Sequence, residues 1–156
     1  MVILGIDPGY AIVGFSVLNY EKHKFTTFSY GIISTSAEES FENRLKYIYQ
    51  DMNTIISKYK PECMAIEKLY FNTNQKTVIN VAQARGVISL SAAINDLPIF
   101  EYTPLQVKQA VVGYGQAEKM QVMDMTRRIL NLSEIPKPDD AADALAIAIC
   151  HAHCAK

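Results

Sequence analysis

Apolar residues in the first part of the chain follow each other or alternate with polar residues, which is the pattern of β-strands. Val2 to Ile6 is an apolar run that ends at the turn-forming sequence Asp7-Pro8-Gly9, and it predicts a first strand. Two further strands are predicted from Ile12 to Leu18 and from Phe25 to Ser34. Because the connections between them are short, we expect these three strands to form an antiparallel meander.

The apolar period then lengthens to that of an amphipathic helix. Apolar side chains recur at steps of three and four and predict a helix from Glu38 to Lys58. Cys63 to Ile66 is a short apolar strand, and a second long helix is expected from Gln75 to Asn95. A fifth strand and three more helices are predicted at Ile99 to Tyr102, Pro104 to Val112, Ala117 to Leu130 and Asp140 to His153.

This order of elements predicts an α/β fold in a single domain over residues 1–156. Three hairpin-connected strands come first and the later strands alternate with helices. The five strands should therefore form a mixed sheet with helices on its faces. That order is the ribonuclease H-like arrangement, in which the first three strands are antiparallel.

Composition narrows the function classes only slightly. Hydrophobic residues make up 49% and charged residues 20%, as in an ordinary globular protein, so we do not expect disorder. The formal net charge is −1, which taken alone argues weakly against a nucleic-acid partner. No apolar run looks long enough to span a bilayer and no export signal is visible, so we expect a cytoplasmic protein with no membrane partner. The cysteines Cys63, Cys150 and Cys154 are then expected to be reduced.

Two carboxylates directly follow predicted strands. Asp7 stands where the first strand ends and the chain turns, and Glu67 comes after the apolar pair Ala65-Ile66. Functional groups collect at strand ends in open α/β sheets. Each residue also has a plainer interpretation, since Asp before Pro-Gly is a common turn former and Glu67 fits an exposed charge at a sheet edge.

Two more carboxylates stand at the start of the last predicted helix. Asp140 and Asp143 are three residues apart, so they share one face of a helix that is apolar nearly all round. Capping and the helix dipole explain one Asp at such a position, and a cap stabilises by about 0.5–2 kcal/mol. Capping does not require a second carboxylate that faces the same way.

These four carboxylates share one expected location, which is a single edge of the sheet. Carboxylates that lie close together raise each other's pKa, and a divalent cation relieves the repulsion. Oxygen ligands without His or Cys suit Mg²⁺, with Mn²⁺ as a plausible substitute. Two such ions in one site, about 3.5–4 Å apart, support phosphodiester hydrolysis by an activated water. The acids therefore indicate a metal-dependent nuclease.

Six segments in the same order resemble the RuvC family of Holliday junction resolvases, across essentially the full length of the chain. The segments are Gly5-Ile6-Asp7-Pro8-Gly9, Ala65-Ile66-Glu67, Gln83-Ala84-Arg85-Gly86, Thr103-Pro104 with Val107-Lys108, Ala117-Glu118-Lys119 followed by Gln121-Val122, and Asp140-Ala141-Ala142-Asp143-Ala144-Leu145-Ala146. One such segment would be weak, but six in order are specific.

The resemblance implies a homodimeric endonuclease that nicks two opposed strands of a four-way DNA junction in recombination and repair. It implies Mg²⁺, two ions per active site, and cooperation with the branch-migration proteins RuvA and RuvB. The family's four acidic ligands fall on Asp7, Glu67, Asp140 and Asp143. Some members carry histidine at the third of these positions, and Asp139 beside Asp140 leaves that assignment open.

Several basic and aromatic residues are candidate DNA contacts. Cations contact phosphates and aromatic rings stack on unpaired bases. The family has an aromatic residue a few positions after its second acid, which matches Tyr70, with Phe71 as the other option. The remaining candidates are Lys76, Arg85, Lys108 and Lys119. The alternative is a solvated loop whose aromatics join the core, with ordinary exposed lysines nearby.

The helix from Gln75 is apolar over more of its surface than one core-facing stripe needs. It is either deeply buried or packed on the same helix of a second copy.

The sequence Cys150-His151-Ala152-His153-Cys154 resembles a metal-binding tract, but its spacing fits the zinc templates poorly and favours a helix end with core-facing cysteines.

Three other functions remain open from the residues alone. They are a ribonuclease H-like nuclease that acts on RNA or hybrids, a phosphate-binding ATPase core that opens with a similar Asp-x-Gly turn, and a non-catalytic binding module.

The proposed metal ligands change how the net charge of the chain is interpreted. Without the four proposed ligands, 16 − 4 = 12 acids face 15 cations, so the remaining surface carries +3. The net charge of −1 therefore combines an acidic site with a mildly basic surround.

Overall fold

Five strands form one mixed sheet in the computed structural model, which describes residues 1–70 and 75–155. The strands are β1 (Val2–Asp7), β2 (Ile12–Glu21), β3 (Lys24–Ser34), β4 (Cys63–Glu67) and β5 (Ile99–Tyr102). Their order is β3-β2-β1-β4-β5. The first three strands are antiparallel, and β4 and β5 add parallel to β1, so the predicted meander and mixed sheet are confirmed.

The helices of the described chain are α1 (Phe41–Tyr59), α2 (Gln75–Ile94), α3 (Pro104–Val112), α4 (Lys119–Ile129) and α5 (Asp139–Cys154). Helix α4 begins two residues later than predicted because Glu118 is its N-cap, and the Gln121 side chain accepts a hydrogen bond from the Glu118 backbone. Strand β2 runs three residues further than predicted. A two-residue hairpin at Lys22 and His23, both with positive φ, extends its pairing with β3.

The sheet has a separate apolar layer on each face, because successive side chains of a strand point to opposite sides. Leu4 and Ile6 of β1 pack with the apolar face of α1 and with Ala84 and Ile88 of α2. On the other face, Ile3 packs with α5, α3 and α4. Strand β1 lies at the centre of the sheet and is buried on both sides, which is why it is a continuous apolar run.

Helix α5 lies unusually close to the backbone of β1 and β2. A Cβ added to Gly5 would overlap the carbonyl of Ala144, and one added to Gly14 would overlap the carbonyl of Asp140. The Ser16 hydroxyl donates a 2.8 Å hydrogen bond to the Ala144 carbonyl. The small residues on both sides therefore set the height of α5 above the sheet.

Helix α2 exposes apolar side chains along one side. Ile79, Leu90 and Ile94 are each more than half exposed, and their spacing of eleven and four residues places them on one face. By length and composition alone, Lys76–Ile94 is the one helix of the described chain that is apolar enough to cross a membrane. This finding corrects the expectation that no apolar run is long enough, although a helix within a soluble protein passes the same test.

We expect Gly14→Ala to destabilise the protein by about 1–3 kcal/mol, because the added methyl group meets the backbone of α5, which cannot move without repacking. Urea unfolding measures the change. Gly86→Ala is the matched control, since a Cβ at that helical position meets nothing within 4 Å. It should be neutral or stabilise by up to about 1 kcal/mol. Equal stability of the Gly14→Ala variant and the wild type would contradict the proposed close packing of α5.

Candidate active site

Asp7 and Glu67 lie side by side at one end of the sheet. They are the last residues of β1 and β4, two neighbouring parallel strands. Ile6 is paired with Ile66, so the next residues, Asp7 and Glu67, lie at the same level along the two strands. Both acidic residues are half-buried. Strand register therefore brings together two carboxylates that are sixty residues apart in sequence.

Helix α5 adds the other two acids from above the sheet. Asp7 is paired with Gly14 across β1 and β2, and the backbone of Asp140 rests on Gly14. The N-cap of α5 is Pro138, which makes no side-chain capping bond, so neither Asp140 nor Asp143 is the cap. Close packing at Gly14 thus places the first turn of α5 next to Asp7.

The pKa shifts show that the four carboxylates interact electrostatically. The pKa of Asp7 is raised from 3.8 to about 8, mainly by burial and then by the charges of Asp143, Glu67 and Asp140. The pKa of Glu67 is raised by burial and by Asp143. Burial also raises the pKa of Asp143, which the ammonium of Lys119 opposes. The four acids predicted from sequence therefore act on each other in the folded chain.

Within residues 1–70 and 75–155, no three His, Cys, Asp or Glu side chains are already arranged as a metal site. The four-acid set nonetheless fits a hard divalent cation, for two reasons. All its side-chain donors are carboxylate oxygens, which are the ligands that Mg²⁺ and Mn²⁺ prefer. The charges of the other three acids also raise the pKa of Asp7, and Lys119 opposes only part of that repulsion, so a cation would relieve it.

A small cavity of about 250 Å³ lies beside the acids. Its charged rim is formed by Glu67, Asp143, Lys108 and Lys119. Its floor is apolar and is lined by Pro104, Val107, Val122, Ala146 and Ile147. The structure therefore brings the two predicted lysines to the acid site, from α3 and from the start of α4.

Lys119 is already engaged by acids of α5. Its Nζ lies 3.1 Å from Asp139 Oδ2 and 3.4 Å from Asp143 Oδ2. The pairing with Asp139 was not predicted. A lysine in the first turn of a helix is unfavourable next to the helix dipole, and this sequence signal could have pointed to a nearby acid.

The other four predicted DNA contacts differ in their surroundings. Tyr70 is about half exposed and lines a second cavity together with Glu67, so it stands beside the acids. Lys76 is exposed in the first turn of α2. Arg85 is only 18% exposed and forms a 2.9 Å ion pair with Glu101, a partner that sequence reasoning missed. Phe71 lies outside the described residues.

The cysteine and histidine residues of the C-terminal tract belong to the core in part. His151 is buried, accepts or donates a 2.7 Å hydrogen bond with the Tyr102 hydroxyl, and lies 3.2 Å from Cys63 Sγ. Burial raises the pKa of the Cys63 thiol to about 11 and lowers the pKa of His151. This neutral network spans β4 and β5 on the face covered by α5, from Cys63, the first residue of β4, to Tyr102, which is paired with Glu67.

Comparison with known families gives one consistent match. The model of the family "Crossover junction endodeoxyribonuclease RuvC" matches residues 3–151. The RuvC protein of Alkaliphilus oremlandii is 56% identical over 153 residues, which is 98% of this chain and 93% of that protein. The RuvC protein of Alkaliphilus metalliredigens is 57% identical over the same shares.

Solved structures agree with the sequence relatives. T. thermophilus RuvC in complex with Holliday junction substrate superposes with a TM-score of 0.95 at 35% identity, over 99% of this chain and 94% of that chain. The sheet order and these neighbours confirm the ribonuclease H-like fold predicted from the order of elements.

The acid site has a consequence for stability without metal. Asp7 binds its proton more tightly in the folded chain than in the unfolded chain, since its pKa rises from 3.8 to about 8. The folded state is therefore favoured by this group at low pH, and the benefit is lost as pH rises toward 8. We expect Asp7→Asn to be more stable than the wild type at pH 8 by on the order of 2–4 kcal/mol, less than the full shift gives because water and side chains relax.

Urea unfolding in EDTA at pH 5 and pH 8 measures this difference, which should be smaller at pH 5. Asp51→Asn is the control, because Asp51 is exposed on α1 away from the four acids. An Asp7→Asn variant that is no more stable than the wild type at pH 8 would contradict the charge repulsion described here.

Proposed function

This chain belongs to the RuvC family of crossover junction endodeoxyribonucleases, and we propose that it resolves Holliday junctions by paired symmetric nicks in two opposed strands. One observation carries the proposal. Three other carboxylates act on Asp7 at one end of the sheet, in a chain that the family matches over residues 3–151. The reaction is the hydrolysis of phosphodiester bonds in DNA recombination and repair.

We assign Asp7, Glu67, Asp140 and Asp143 as the ligands of the divalent metal on which this reaction depends. The proposed ion is Mg²⁺, with Mn²⁺ as a substitute and two ions per site. A bound divalent cation supplies an activated water and stabilises charge on the phosphate oxygens. The protein contributes carboxylates from two strand ends and one helix start, which the fold gathers at one end of the sheet.

Lys108 and Lys119 are the proposed phosphate contacts at the active site. Both line the small cavity beside the acids. An ammonium is a compact point charge, which suits it to hold a phosphate and to offset negative charge that develops there. The apolar side chains that line the same cavity would exclude water from part of a phosphate bound there.

A wider surface around the acids is proposed to hold the junction strands. Tyr70 is an exposed aromatic beside Glu67, which fits stacking on an unpaired base. Lys76 is exposed, so its ammonium is accessible to a DNA phosphate. Arg85 would share its guanidinium with Glu101 in any contact with DNA. Phe71 remains a candidate from the resemblance alone.

We propose that two copies associate through the exposed apolar face of α2. Ile79, Leu90 and Ile94 form this face, while Ala84 and Ile88 on the other side of the helix are buried within the chain. A second copy related by a two-fold axis would cover the same face on both subunits. Two active sites related by that axis suit the two opposed strands of a four-way junction.

The resemblance also extends the proposal to partners and location. Cooperation with the branch-migration proteins RuvA and RuvB is proposed on that ground, as is a cytoplasmic location. The charge balance of the rest of the chain supports DNA as the principal ligand, since setting aside the four proposed ligands leaves 12 acids against 15 cations.

The wild type should cleave a mobile four-way junction in Mg²⁺ in preference to a linear duplex and to an RNA–DNA hybrid of the same sequence. Asp7→Asn should lower the cleavage rate by about 10²-fold or more, because it removes one charged ligand, while junction binding survives. Gel assays of cleavage and of binding on the same labelled junction measure both effects.

Asp51→Asn is the control for this comparison as well, since it removes an exposed carboxylate far from the site. Preferential cleavage of the hybrid would favour a different ribonuclease H-like nuclease. Full activity of Asp7→Asn would overturn the ligand assignment.

The dimer proposal has a separate test. Sedimentation should show a dimer for the wild type at micromolar concentration, and Leu90→Asp should raise the dissociation constant at least about tenfold, because it places a charge in an apolar interface. Phe28→Asp is the matched control, since Phe28 is a similarly exposed apolar residue on β3. A wild type that sediments only as a monomer would contradict the dimer proposal.

A further inference from the structure

Lys119 joins the first turns of two helices at the edge of the acid site. It is the first residue of α4, and of its two acidic partners Asp139 is the first residue of α5 and Asp143 lies one turn further along that helix. The N-termini of helices carry partial positive charge, so an ammonium placed there is unfavourable without negative partners. The two carboxylates provide that compensation.

The two partners of Lys119 are not equivalent. The nearer one is Asp139, at 3.1 Å, and its side chain is 63% exposed. Asp143 is at 3.4 Å with 37% exposure, and its charge is one of those that raise the pKa of Asp7. Asp143 therefore belongs to the proposed ligand set, whereas Asp139 stands on the solvent side of Lys119.

A cation held by the four acids would compete with Lys119 for Asp143, since both carry positive charge and both would contact the same carboxylate. Asp139 would then be the carboxylate that still holds the ammonium. A lysine side chain has four rotatable methylene bonds, so without such a partner it samples many positions. Its charge would no longer be fixed at the rim of the cavity beside Glu67 and Lys108.

We propose that Asp139 is a positioning residue. Its carboxylate keeps the Lys119 ammonium at the cavity rim, beside the DNA phosphate that is hydrolysed at the four-acid site. This inference rests on the proposed function. It also gives the two neighbouring acids at the start of α5 different roles. Asp140 is a proposed ligand, and Asp139 acts through Lys119.

A double-mutant cycle tests the proposal. Single-turnover cleavage of the four-way junction is measured at saturating Mg²⁺ for the wild type, Asp139→Asn, Lys119→Gln and the double variant. Asp139→Asn should slow cleavage about tenfold, while the junction dissociation constant in EDTA changes less than about threefold. In the Lys119→Gln background, Asp139→Asn should change the rate less than twofold. Asp139→Glu should restore most of the rate, because it keeps the charge.

Calorimetry of MgCl₂ binding to the DNA-free protein supplies a readout that does not depend on activity. Lys119→Gln should tighten Mg²⁺ binding about threefold or more, because it removes a competitor for Asp143. Asp139→Asn should leave the Mg²⁺ affinity within about threefold of the wild type, whereas Asp143→Asn should weaken it at least tenfold. Glu134→Gln is the control, since it removes an exposed acid in the segment before α5.

The outcomes separate this inference from the function on which it rests. A wild type that does not cleave junctions would overturn the proposed function. A wild type that cleaves, with an Asp139→Asn variant of full activity or with additive effects in the cycle, would overturn the positioning role alone. A loss of Mg²⁺ affinity in Asp139→Asn as large as in Asp143→Asn would make Asp139 a ligand instead.

Discussion

The close contact between α5 and the β1–β2 pair is the constraint on which the site depends. The absence of side chains at Gly5 and Gly14 lets the helix backbone rest on the strand backbones, and Ser16 bonds the carbonyl of Ala144. A helix held at the usual distance from a sheet would keep its first turn away from the strand ends. The acid site is thus a product of packing between small residues that have no chemistry of their own.

The same packing creates an electrostatic tension. Four carboxylates are gathered where burial has removed much of their hydration, and the pKa of Asp7 rises to about 8 as a result. One ammonium, that of Lys119, offsets part of this charge, and it lowers the pKa of Asp7. Folding free energy is therefore spent to gather acids at one place, as is common where function and stability compete.

The acid site and the interior beneath α5 carry different kinds of polar group. At the end where β1 and β4 finish, charged residues face solvent and a cavity. Between α5 and strands β4 and β5, Cys63, Tyr102 and His151 form a buried hydrogen-bonded network of neutral groups. Its thiol has a pKa raised to about 11, so this cysteine is a poor nucleophile and a structural member of the core.

Periodicity and local signals determined the order of the elements, and motif order determined the family. They also identified the four acids, because a carboxylate directly after an apolar strand, or repeated on the first turn of a buried helix, has few structural explanations. Tertiary structure decided what each charge faces. The packing of distant elements decides that Lys119 contacts Asp139 and that Arg85 pairs with Glu101. It also decides that one face of α2 stays exposed. Sequence spacing reports neighbours along one element, whereas these contacts join residues that only the folded chain brings within a few ångströms of each other.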